Sequence, residues 1–127
     1  MAEVMRGRPK YMNIFEIRLP MPGLASILHR ISGVGLFLAL PLLLCALERS
    51  LRSPAEYAQL MAQLGHPAIK LALLGLLWAL LHHLCMGVRI LLIDVHVGVA
   101  KARARASAAA VFAVSIGLTF ALGVALW

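Results

Sequence analysis

The sequence predicts an all-α integral membrane protein with three transmembrane helices and a cytoplasmic N-terminus. Three observations carry this. Apolar residues make up 62% of the chain and charged residues 13%, against about 45–50% and about 25% in a soluble domain. Three windows each approach or exceed the roughly 20 mostly apolar residues that a bilayer crossing needs. The basic residues flank those windows and form no stripe of their own. At 127 residues the chain is one domain.

Residues 1–23 read as a cytoplasmic amino-terminal segment. Helix one is expected over 24–47, from LASIL through ISGVGLFLALPLLLCAL. Pro41 falls inside it, which transmembrane helices tolerate, usually with a kink. A long upstream segment and the lack of a small-residue cleavage site argue against a signal peptide. Residues 48–67 read as a polar loop with a short surface helix around 55–64. Helix two is expected over 68–93, with the uncharged centre LALLGLLWALLHHLCMGV. Helix three is expected over 106–127. It carries no charge and closes on Trp127, where an interfacial tryptophan belongs.

Charge sets the direction. Arg6, Arg8, Lys10, Arg18 and Arg30 precede or open helix one, and Arg89, Lys101, Arg103 and Arg105 lie around the second connection. With three spans these share one side, while Arg49, Arg52 and Lys70 occupy the other. The positive-inside rule puts the richer side in the cytoplasm, or in a mitochondrial matrix, and the C-terminus outward. This use of the net charge of +7, with no accompanying nucleic-acid motif, argues against nucleic-acid binding. Cys45 and Cys85 sit in apolar runs without metal-type spacing, which argues against a disulfide framework or a zinc site.

Ionisable residues inside a span are costly and point to function. His82 and His83 lie well inside helix two. Adjacent helical residues diverge by about 100°, so an unbroken helix cannot aim both at one metal. His83 lies eleven residues before Asp94, or about 16 Å along the axis, near mid-membrane. His29 is expected close to the interface, too shallow to meet His83 across an iron. Two readings of His83 stay open: a buried histidine joining helices, or an axial ligand of a haem whose propionates reach toward His29 and Arg30. The haem reading requires a second axial ligand from another chain. Ser26 and Arg30, four apart, share a helix face. They suit either a small polar head with an apolar tail, or a packed serine beside an arginine snorkelling to phosphates.

The pattern Ser-x-x-His-Arg-x-Ser at Ser26, His29, Arg30 and Ser32 follows an upstream Arg8-Pro9 pair. A second pattern, His-x-x-x-Gly-x-Arg, falls at His83, Gly87 and Arg89, before Asp94. Over nearly its whole length the chain resembles the cytochrome b (b556-type) membrane-anchor subunit of succinate dehydrogenase, respiratory complex II. That resemblance implies a hetero-oligomeric helix bundle and several roles. His83 would be an axial ligand of haem b, shared with a second membrane-anchor subunit, and His29 would lie beside a haem propionate. Ser26 and Arg30 would line a ubiquinone site formed with an iron–sulfur subunit. FAD and iron–sulfur clusters would belong to the flavoprotein and iron–sulfur partners, and this chain alone would have no activity. Three positions depart from the family pattern: Ile90, often histidine; Ile93, often aromatic or Met; and His96, often small. Asp94 is expected to pair with Arg89 or to help deliver protons to the quinone.

The anchor of a quinol:fumarate reductase would look alike. A small transporter would be expected to carry a membrane-embedded carboxylate, and the three span centres have no Asp or Glu. A purely structural anchor without haem is a third reading. The short segment before Arg8 favours a bacterial plasma membrane over a mitochondrial one.

Overall fold

The computed structural model describes residues 18–127. Arg6, Arg8, Lys10 and the Arg8-Pro9 pair lie outside the described residues. Four helices follow one another: α1 (Met21–Arg52), α2 (Pro54–Leu64), α3 (Pro67–Asp94) and α4 (Lys101–Leu126).

Helix α1 starts three residues before the expected residue 24 and runs five past residue 47. Pro20 precedes it in extended backbone, and its carbonyl accepts the amides of Gly23 and Leu24 at 2.8 and 3.1 Å. Hydropathy ends where charge begins, but a helix does not. Glu48 and Arg52 sit one turn apart and pair at 2.7 Å, so the last turn is polar yet helical. The chain then turns extended at Ser53, whose hydroxyl accepts the amide of Glu56 at 3.2 Å and caps α2, with Pro54 at the first helical position. Arg49 ties α1 to α2 through Gln63 at 3.2 Å, and Leu60 is the buried residue of α2.

His66 caps α3 by accepting the amide of Ala68 at 3.2 Å. Beyond Asp94 the chain reverses through His96 and Gly98, both in left-handed backbone (φ 63° and 80°). Helix α4 begins five residues before the expected residue 106. Lys101, Arg103 and Arg105 occupy its opening turns, with no acidic residue in the first turn and no side-chain cap.

Helices α1, α3 and α4 are long and apolar enough to cross a membrane. At 1.5 Å per residue they run to about 40–48 Å, longer than a hydrocarbon core of about 30 Å. Helix α3 packs against both α1 and α4, and α1 also touches α4. Small residues are buried between the helices: Ala25 and Ser32 on α1, and Ala108 and Ser115 on α4, with Ala25 and Ala108 in one cluster with Met86 of α3 and Val111 of α4. Helices in lipid associate by such close packing, since tails are as apolar as leucine. Ser115 and Thr119 return their hydroxyls to the carbonyls of Phe112 and Ser115, so neither is left unpaired. Lys70 lies 6.0 Å over the Trp127 ring, bringing the start of α3 beside the end of α4. Large apolar side chains point outward all along the bundle, Phe37 at 73% exposure and Phe120 at 75% among them.

Candidate functional site

The site lies where α1 crosses α3. Nδ1 of His83 is 3.1 Å from the backbone carbonyl of His29 and 3.3 Å from the Ser32 hydroxyl. A carbonyl only accepts, so the ring donates Nδ1–H and keeps a lone pair on Nε2. Ser32 itself donates to the same carbonyl at 2.9 Å, which leaves its oxygen free to accept from His83. The knot fixes both the tautomer and the tilt of the His83 ring. Gly33 makes room for it: a Cβ there would lie 2.9 Å from His83 Cε1.

The expected depth difference between His29 and His83 is not what the structure shows. Their rings stack, with centroids 4.2 Å apart and planes 17° from parallel. Two causes combine. Helix α1 starts a turn earlier than expected, placing His29 about 12 Å from its end by the helical rise, close to the 16 Å of His83 from Asp94. The crossing then brings the two levels together. The two rings meet face to face rather than nitrogen to nitrogen.

His82 is fully buried on the other side of the crossing. Its Nε2 approaches the Ala25 carbonyl at 3.4 Å, and its ring lies between Trp78 and Phe112, each at a centroid distance of 5.2 Å. His82 Nδ1 and Trp78 Nε1 are buried without a hydrogen-bond partner among the described residues.

Arg89 corrects a second expectation. Five residues separate it from Asp94, so the two leave the helix roughly 140° apart, and no ion pair joins them. Arg89 instead crosses to α4, donating from Nε to the Ser107 hydroxyl at 2.9 Å and from a terminal nitrogen to the Ala104 carbonyl at 3.1 Å. It is 8% exposed. Ser26, half-buried, and Arg30, exposed, occupy one face of α1 beside His29. Neither side chain hydrogen-bonds another described residue. Among the described residues no three histidine, cysteine or acidic side chains gather around one point.

Residues 5–122 match the model of the succinate dehydrogenase/fumarate reductase transmembrane subunit family. The chain belongs to this family. It is 36% identical to the succinate dehydrogenase cytochrome b556 subunit of Coxiella burnetii, over 94% of this chain and 97% of that one. The subunit of the same name from Rickettsia felis is 31% identical over 96% and 95%, and that of Paracoccus denitrificans 34% over 77% and 76%. As a member of the succinate dehydrogenase/fumarate reductase transmembrane subunits, the chain is a membrane-anchor subunit of a larger enzyme.

Within this family member, sequence reasoning overlooked three contributors. Ser32 was visible in the first motif, three residues after His29, the spacing at which a helical serine bonds back to a carbonyl. Gly33 followed it, and nothing in the sequence said which ring it faces. Ser107 lies outside both motifs and gave no signal.

Proposed function

We propose that this chain is a haem b-binding anchor subunit of a succinate:quinone oxidoreductase, that His83 is an axial ligand through Nε2, and that Ser26 and Arg30 line the quinone site. The observation that carries the reading is the bond from His83 Nδ1 to the His29 carbonyl. Histidines that bind metals usually donate their second N–H to a carbonyl or carboxylate, which orients the ring and raises its basicity. The cradle left by Gly33 fits the same reading.

Haem b, when bound, supplies a one-electron carrier close to the quinone. His29, stacked on His83, and His82, turned away, would not complete the coordination, so a second membrane-anchor subunit would have to help hold the haem. Arg30 and His29 are the candidates for the propionates. The chain has two cysteines, both within apolar helices, so the electrons reach ubiquinone from flavoprotein and iron–sulfur partners. Reduction to quinol takes two electrons and two protons. The Ser26 hydroxyl donates a hydrogen bond to a quinone carbonyl oxygen. Arg30 stays charged and steadies the negative charge that develops there. For the same reason it does not give up a proton, which water or a partner residue delivers. Oriented by its flanking cations, the site faces the cytoplasm of a bacterial inner membrane.

The test is the reduced-minus-oxidised spectrum of the complex purified with His83→Ala. Loss or displacement of the b-type bands is expected. His29, stacked on His83, is the nearest substitute, so an unaltered spectrum both in His83→Ala and in the double variant with His29→Ala sinks the ligand assignment.

A further inference from the structure

His82 takes no part in the site just proposed, yet it is wholly enclosed and hydrogen-bonded to another helix. Building on the reading of His83 as a haem ligand, we propose that His82 is a positioning residue that fixes the rotation of α3 and thereby the direction in which His83 presents Nε2.

His82 and His83 are consecutive, so their side chains leave α3 about 100° apart. Their acceptors, the carbonyls of Ala25 and His29, are one turn apart on a single face of α1. The two imidazoles therefore straddle the line along which α3 touches α1. Turning α3 about its own axis shortens one of these contacts only by lengthening the other. One bond alone would leave the rotation free. Two bonds on opposite sides of the contact line define it.

The surroundings of His82 make it the stiffer of the two. Trp78, one turn earlier on α3, and Phe112 of α4 hold its ring from two sides. Since the Ala25 carbonyl only accepts, the ring donates Nε2–H. Nδ1 then carries a buried lone pair with no partner among the described residues. Packing by the Trp78 and Phe112 rings, beside the hydrogen bond, holds the ring in place. A ligand orientation set by supporting contacts on a rigid element is how metal sites hold their geometry.

The experiment uses the whole complex purified from membranes with two substitutions. His82→Phe fills the space between Trp78 and Phe112 but has no donor. His82→Gln places an amide N–H near the position of Nε2. The low-spin ferric EPR signal reads the relative orientation of the axial imidazoles, and a redox titration reads the midpoint potential. The expected result is a displaced signal and potential in the Phe variant, or loss of its haem, with parental values restored in the Gln variant. Parental values in the Phe variant overturn the proposal. So do displacement or haem loss of equal size in both variants, because the donor then makes no difference. An unaltered b-type spectrum both in His83→Ala and in its double variant with His29→Ala is a separate outcome, and it removes the ligand assignment on which the proposal rests.

Discussion

At the scale of single residues, the site depends on a carbonyl, a hydroxyl and a missing methyl group around one imidazole. Gly33→Ala puts a Cβ 2.9 Å from His83 Cε1. The ring must shift, at about 1–3 kcal/mol for such overpacking. The expected outcome is a lower haem-to-protein ratio after purification, and an unchanged ratio shows that the ring has somewhere else to go. Arg30→Lys keeps the charge and loses the planar fork. Quinone reductase turnover is expected to fall about tenfold, equivalent to about 1.4 kcal/mol, with the haem bands unchanged; parental turnover rules out the proposed role of Arg30. The candidate residues themselves were legible in the sequence because ionisable groups stand out in an apolar run. Their contacts were not. The stacking of His29 on His83 depends on where α1 begins and on how two helices cross, and neither is encoded in spacing along one helix.

At the scale of elements, hydropathy found the three long helices, and the polar connection between the first two was expected to hold the short one. The boundaries were displaced wherever a charged turn stayed helical, as at Glu48–Arg52 and at Lys101–Arg105. Arg89 shows why helix pairing was harder to read. Its expected partner, Asp94, was near in sequence but on another face, whereas Ser107 is eighteen residues away on the next helix. Ser107→Ala leaves a buried guanidinium short of one acceptor, a loss of about 1–3 kcal/mol. Lower thermal stability of the detergent-solubilised complex is expected. A Ser107→Thr variant, which keeps the hydroxyl, is expected to retain most of it. Ser53→Ala removes the cap of α2, which typically costs about 0.5–2 kcal/mol. Faster proteolysis of the connection between α1 and α3 is the expected sign.

At the scale of the whole molecule, the described residues bury few side chains, and several of those are small or polar. Its outer face is covered with leucine, valine and phenylalanine. Lipid and the other subunits of the enzyme are the natural cover for that face, and the proposed haem adds a contact that no single chain completes. Orientation is open to a direct check. Alkaline phosphatase fused after Trp127 is expected to be active, and the same reporter inserted at Gly98 inactive; the reverse pattern inverts the topology and moves the quinone site to the other side. The basic opening of α4 has a consequence for how the chain is made. Lys101, Arg103 and Arg105 stand at the positive end of a helix dipole, where cations are disfavoured by about 0.3–1 kcal/mol each when exposed. Translocating any one of them through the bilayer centre is far harder, at about 2.5–3.5 kcal/mol or more. These residues weaken the first turn of the helix they begin, yet they bar that turn from crossing the membrane. During synthesis they act as a latch: whichever side the hairpin of α3 and α4 is inserted from, its tip stays there.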